Sequence, residues 1–220
     1  MDGVSLNYLS KSTNGIFLSI ETLVNSVPEI ADNALNNLDD ARNFYSKIVN
    51  EKKKITNTRW NAELQLFSLL YVITKSKNLE VIIETGVANG LTTNAIMQAL
   101  VISNSSCALH SFDVLPETKK AYIGEGNWNF HLLSSKKAHK QIVKTVMQLP
   151  KVDLWVHDSN HGYRWQKFEY QLAFSRLRKG GILISDDIDA SPAWGELAKT
   201  LFRESFIVFD SRKFIGIAFK

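Results

Sequence analysis

Asp158, His161, Asp186 and Asp187 have the types and spacing for metal-assisted proton chemistry. Asp158 closes an apolar run, Leu154-Trp155-Val156-His157, and is followed by Ser159-Asn160-His161-Gly162-Tyr163. Asp186 and Asp187 close a second run, Gly180-Gly181-Ile182-Leu183-Ile184-Ser185. As strands of one parallel sheet, both runs finish at the same edge and bring the three carboxylates together. Carboxylates crowded in a partly dry cleft repel and raise one another's pKa. A divalent cation removes that penalty, and an all-oxygen set favours Mg²⁺ or a similar hard ion over zinc. Consecutive strand residues face opposite ways, so Asp186 and Asp187 converge only if the chain turns there. Ile188-Asp189-Ala190-Ser191-Pro192 permits such a turn. The competing reading is that the acidic pair caps a helix beginning near Ser191. His157 lies within its strand and is expected to point away from Asp158, as a packed or hydrogen-bonded core histidine.

A second constellation precedes these residues. Glu84-Thr85-Gly86-Val87-Ala88-Asn89-Gly90 follows a strand and opens a helix, Leu91–Leu100. Glycines there let backbone approach a ligand, and a helix N-terminus supplies unpaired N–H groups. The spacing is neither G-x-G-x-x-G nor a loop ending in Gly-Lys-Ser/Thr. A carboxylate two residues before the first glycine suits a ligand with positive charge, such as a sulfonium or an amine. The alternative is a strand-to-helix turn that needs glycine for packing. Ser111-Phe112-Asp113 ends the next strand, and an acid at that edge of a doubly wound sheet commonly takes a ribose diol. Asp113 would otherwise be a cap or a turn former.

The elements that must position these groups are legible from Glu80 onward. Val81–Glu84, Leu109–Val114, Leu154–His157 and Ile182–Ser185 are apolar, β-branched runs separated by helix-length stretches, the pattern of a parallel sheet covered on both faces. The tail departs from it. Phe206–Phe209 and Phe214–Phe219 are joined by Asp210-Ser211-Arg212-Lys213, too short for a crossover helix, so they must pair antiparallel. The first 58 residues offer no convincing strand, only helical periodicity at Ile16–Ser26 and Leu35–Val49. A third helix is expected over Trp60–Ser76, with Leu66, Phe67, Leu70, Tyr71 and Ile73 on its apolar face. The chain thus divides into a helical extension, 1–58, and an α/β domain, 59–220.

With 220 residues, 45% of them hydrophobic, the chain can bury a full core. No apolar run approaches the roughly 20 residues that span a bilayer. The N-terminal residues Met1-Asp2-Gly3 do not lead into a basic and then apolar stretch, so a secretory signal is not expected. Cys107 is the one cysteine, which excludes an intrachain disulfide and points to a cytoplasmic setting. A net charge of +4 does not indicate nucleic-acid binding. Lysines cluster at Lys52–Lys54 and at Lys136, Lys137, Lys140 and Lys144, and the second set has the spacing of a solvated helix face.

On these residues the sequence resembles the class I S-adenosylmethionine (SAM)-dependent methyltransferases. Within them it is similar to the metal-dependent O-methyltransferases, both the catechol O-methyltransferase-like enzymes and those that methylate antibiotic sugars and other natural products. The resemblance covers about Trp60–Lys220 and rests on Glu-Thr-Gly-Val-Ala-Asn-Gly, Phe-Asp, Val-His-Asp-Ser-Asn-His-Gly-Tyr, Gly-Gly-Ile-Leu-Ile-Ser-Asp-Asp and the terminal hairpin. It implies a doubly wound, mostly parallel, seven-stranded Rossmann-like sheet with an antiparallel C-terminal hairpin. It implies that Glu84, Gly86 and Gly90 line the methionine end of SAM, with Asn89 in the same cofactor loop, and that Asp113 holds the ribose. Asp158, Asp186 and Asp187 would bind the cation, and His161, with an unperturbed pKa of about 6.5, would be the general base. Catechol-type enzymes usually carry asparagine where Asp187 stands, and a lysine where His161 stands. The acceptor would be a hydroxyl on a small molecule. Tyr163, Trp165 and Trp194 would shape its pocket or, as expected for Trp165, the core. Residues 1–58 would form a lid, and apolar residues on their helices would suit a homodimer contact. A metal-independent methyltransferase and a non-catalytic SAM-binding subunit are the alternatives.

Overall fold

The computed structural model of the protein describes residues 4–30, 34–52 and 62–220. In chain order the elements are α1 (Leu6–Ser10), β1 (Gly15–Phe17), α2 (Ile20–Ser26), α3 (Ala34–Lys52), α4 (Leu64–Ser76), β2 (Val81–Thr85), α5 (Leu91–Ile102), β3 (Ala108–Asp113), β4 (Asn127–Leu132), α6 (Ala138–Val146), β5 (Val152–His157), α7 (Tyr163–Arg176), β6 (Leu177–Ser185), α8 (Ala193–Leu201), β7 (Glu204–Asp210) and β8 (Lys213–Phe219). The strands form one sheet in the order β1-β7-β8-β6-β5-β2-β3-β4. The run from β4 to β6 is parallel, and β8 is antiparallel to both β6 and β7. The expected mostly parallel sheet with a terminal antiparallel hairpin is therefore present.

Eight strands stand where seven were expected. The additional strand is β1, in the stretch expected to be wholly helical. Gly15-Ile16-Phe17 pairs parallel with Phe206-Ile207-Val208 of β7, and the helix expected from Ile16 begins at Ile20. Ser19 starts it with a capping box that Thr22 completes. The third expected helix runs over Leu64–Ser76. Its expected start at Trp60, and Lys53 and Lys54 of the first lysine cluster, lie outside the described residues.

Strand alternation divides the core into two layers. Ile82, Leu154, Val156, Ile182 and Ile184 face the layer built by α2–α5, whereas Ile83, Trp155 and Leu183 face the layer built by α1 and α6–α8. The N-terminal segment belongs to both layers, through Ile20, Leu23, Leu38, Ala41 and Ile48 on one face and Leu9 on the other. Trp194 is buried in the second layer. Among the described residues no helix is long and apolar enough to cross a membrane.

The β7–β8 hairpin is tied to the opposite end of the chain. Asp210 accepts hydrogen bonds from the backbone N–H of Gln65 (3.1 Å) and Leu66 (2.9 Å), so it caps α4 from a distant strand. The residue at the usual capping position, Glu63, makes no such bond and instead pairs with Arg212 at 2.9 Å. Asp210→Ala leaves two helix donors without a partner and is expected to lower unfolding free energy by about 1–2 kcal/mol, measured by urea denaturation.

Candidate active site

The sheet order reverses between β2 and β5, which both leave the C-terminal edge of the sheet and are hydrogen-bonded to one another. In doubly wound folds a crevice opens at such a point. The glycine turn follows β2 and Asp158 follows β5, so the two constellations read from the sequence are neighbours.

Gly86 has φ +85°, and a Cβ there would lie 2.0 Å from the Asp158 carbonyl oxygen. Its N–H donates to the Phe112 carbonyl at 2.9 Å. Gly90 has φ +73°, and its Cβ would lie 2.6 Å from the Ala121 Cβ. Both glycines are thus required by the protein's own packing, and Gly90 also opens α5. Asn89, between them, is half-buried. Asp113 shapes the same turn: its Oδ2 accepts from the N–H of Val87 (2.8 Å) and Ala88 (3.1 Å), and its Oδ1 from that of Leu115 (2.9 Å). A carboxylate offers about four lone-pair directions, so three bonds leave acceptor capacity for a diol.

Glu84 is fully buried under this turn. Its Oε2 accepts from Thr93 Oγ1 (2.8 Å) and Ser111 Oγ (2.5 Å), and Ser111 Oγ in turn accepts from Trp128 Nε1 (2.9 Å). The other oxygen, Oε1, is buried without a partner. Burial raises the Glu84 carboxyl to about 6, against the lowering effect of these hydroxyl bonds.

At the next strand ends, ligand atoms of Asp158, His161 and Asp186 all lie within 4.8 Å of one another. The set expected from sequence had Asp187 in place of His161. Asp187 takes φ +46° and its Oδ2 lies 3.2 Å from His161 Nδ1, so its carboxylate turns to the imidazole. The helix-cap alternative for the pair is not what the structure has, because Ser191 Oγ accepts from the Ala193 N–H at 3.2 Å. Asp186 is buried, with Oδ2 ion-paired to the buried Lys213 and Oδ1 unpartnered. His161 Nε2 is likewise unpartnered, 3.9 Å from Asp158 Oδ1. Burial and then the Asp186 charge hold the Asp158 carboxyl well above the usual carboxylate range. Burial and the neighbouring His157 lower the His161 pKa, so its neutral form predominates at neutral pH.

His157 is a hydrogen-bonded core histidine, as expected. Its Nδ1 meets Glu169 on α7, and its ring lies edge-on to that of His161 at 5.5 Å. Burial raises the Glu169 pKa, but His157 and hydrogen bonds from it, Thr85 and Ser159 leave it lowered on balance. Ser159 Oγ donates to Glu169 at 2.8 Å and accepts from Trp165 Nε1 at 2.8 Å, which ties the Asp158–His161 loop to α7.

Residues 83–188 match the family model described as a methyltransferase domain. That span runs from β2 to just past β6 and contains Glu84, the glycine turn, Asp113 and the whole Asp158–Asp187 cluster. The match identifies this span as a methyltransferase domain. Similar solved structures include an O-methyltransferase from Bacillus cereus in complex with SAH, at 14% identity and TM-score 0.57 over 93% of this chain and 98% of that one. A putative O-methyltransferase from Klebsiella pneumoniae has 14% identity and TM-score 0.54 over 90% and 94%. An rRNA methylase from Streptococcus thermophilus has 14% identity and TM-score 0.53 over 73% and 97%. These likenesses are of fold, and they extend to enzymes with different acceptors. No curated protein matches the sequence.

Two residues of the methyltransferase site were not singled out in the sequence. Lys213 was read as part of a polar turn, and its signal is its place two residues before the buried Ile215 of β8. Glu169 carries no local signal, since its partner His157 is on another element.

Two outcomes follow for the methyltransferase. Gly86→Ala is expected to cost more than about 4 kcal/mol, seen as a large fall in Tm, because both φ and the Asp158 backbone oppose a Cβ. For Glu84, the folded pKa of about 6 exceeds the ordinary 4.5. The native state therefore binds more protons, and Glu84's contribution to stability is lost as pH rises from 4.5 through 6. Glu84→Gln is expected to remove about 2 kcal/mol of that decline, read from denaturation at successive pH values.

Proposed function

We propose that this methyltransferase moves the methyl group of SAM to a hydroxyl of a small molecule, with a divalent cation at Asp158 and Asp186 and with His161 as general base. The observation that carries the reading is the pair of unpartnered buried atoms, Asp186 Oδ1 and His161 Nε2, on two of the three residues whose ligand atoms cluster with one another. Polar atoms so buried ordinarily have partners: a cation would be that of Asp186 Oδ1, and the acceptor hydroxyl that of His161 Nε2. Carboxylate oxygens from Asp158 and Asp186 suit Mg²⁺ or a similar hard ion, and leave His161 Nε2 to the acceptor hydroxyl. Asp187, expected as a third metal ligand, lies outside the clustered set and offers Oδ2 to His161.

SAM supplies a methyl carbon already activated by its sulfonium, and a bound cation would lower the pKa of an acceptor hydroxyl, as it does for water. The protein's work is then positioning and proton removal. Asp187 Oδ2, at 3.2 Å from His161 Nδ1, favours the tautomer with its proton on Nδ1. Nε2 is left as the acceptor, directed into the cluster. It takes the hydroxyl proton as the oxygen attacks the methyl carbon, and SAM leaves as SAH. Asp113 and the Glu84–Gly90 turn, Gly86, Asn89 and Gly90 included, would hold the cofactor beside that oxygen, with the remaining capacity of Asp113 for the ribose.

A metal-independent transfer is favoured by one observation, the Lys213 ammonium already paired with Asp186. Calorimetric titration with SAM, and turnover of a hydroxyl acceptor with and without chelator, separate the two. The proposal expects saturable one-site SAM binding in both conditions and turnover lost with chelator; retained turnover selects the metal-independent route. Absence of SAM binding would overturn the proposal altogether. His161→Ala is expected to reduce turnover by about 10²–10⁴-fold with SAM affinity nearly unchanged. A collapse of SAM affinity would instead make His161 structural.

A further inference from the structure

Lys213 is 5% exposed, whereas its neighbours Ser211 and Arg212 in the same hairpin are exposed. It shares strand parity with Ile215 and Ile217, so it faces the layer toward which Asp186 also points. Burying an ammonium is unfavourable unless it is paired, and the pairing here is with one oxygen of Asp186 alone. The other oxygen, Oδ1, has no partner, and Asp186 is one of the three clustered residues that could hold a cation.

The charges of the centre give this arrangement a meaning. Asp158, Asp186 and Asp187 carry three negative charges when ionised, and Lys213 carries one positive charge. The remainder is −2, the complement of a single divalent cation. Two further charges near the centre have partners of their own: Arg212 is paired with Glu63 at 2.9 Å, and Asp210 is held by the two α4 N–H groups. A helix N-terminus carries partial positive charge that offsets such a carboxylate.

We propose that Lys213 is a positioning residue that clamps Asp186 through Oδ2, directs Oδ1 to the metal position, and sets the net charge of the centre to match one divalent cation. The inference rests on the metal-assisted reading above. A lysine serving only to fill space would fix neither the charge nor the preference of the site among ions.

The test compares ions of different charge on the full-length protein, with no turnover involved. Mn²⁺ and Tb³⁺ affinities are measured calorimetrically for the native chain, Lys213→Met, Asp187→Asn and the double variant. Misplacement of Asp186 weakens both ions, whereas a change of one charge shifts their ratio, because Coulomb energy scales with ionic charge. The expected Tb³⁺/Mn²⁺ affinity ratio rises on the order of tenfold in Lys213→Met, falls by a similar factor in Asp187→Asn, and returns to the native value in the double variant. Should Lys213→Met fail to fold, Lys213→Gln, which removes the same charge and keeps a hydrogen-bond donor, takes its place alone and with Asp187→Asn. Metal binding with an unchanged ratio in every variant overturns the role of Lys213 and leaves the metal reading standing. A native chain that binds neither ion sinks the metal reading, and this inference with it.

Discussion

The close approach of the β2 turn to the end of β5 is the constraint on which the site depends. Gly86 lies against the Asp158 carbonyl so tightly that a methyl group would sit 2.0 Å from its oxygen. The Asp158 N–H is bonded to the Thr85 carbonyl at 2.8 Å, and the Asp186 N–H to the His157 carbonyl at 2.9 Å. Backbone bonds thus lock three successive strand ends edge to edge. The turn assigned to the cofactor and the acidic centre assigned to catalysis cannot move independently. Methyl transfer in line needs donor and acceptor held within a fraction of an ångström, and a shared backbone frame supplies that more rigidly than side chains would.

Around this frame the charges are arranged so that each buried group answers to another. Asp113 holds the turn, Glu169 holds His157, Asp210 holds α4, and Lys213 holds Asp186. Glu84 Oε1, Asp186 Oδ1 and His161 Nε2, at the strand ends, are among the buried side-chain atoms without a protein partner, as are Trp155 Nε1 and Trp194 Nε1 in the second layer. Carboxylate and imidazole atoms left so at a shared strand edge mark where something else binds.

Much of this was legible in the sequence because parallel strands buried on both faces write themselves as apolar runs, and their last residues must share an edge. Asp158 and Asp186 could be brought together on that ground alone. Asp187 could not be placed, since a positive φ at an aspartate leaves no trace in residue type. The three residues of β1 are too few to show alternation, and their pairing is decided by β7. Asn127–Leu132 does alternate polar with apolar residues, but as an edge strand it is only half-buried and escaped notice. The glycines were read as room for a ligand, whereas Gly86 and Gly90 first make room for Asp158 and Ala121. Sequence spacing announces that a close approach exists, not what approaches.

The pairing of β1 with β7 has a consequence for how the chain acquires its shape. Thr13 Oγ1 donates to the Ser205 carbonyl across 192 positions, and Asn14 and Ser205 exchange further bonds. During synthesis β1 emerges long before β7, so it waits without its sheet edge until nearly the whole domain has been made. Loop-closure entropy makes so distant a contact a late event. β1 is therefore a closing latch, seated only once the hairpin that carries Lys213 is in place.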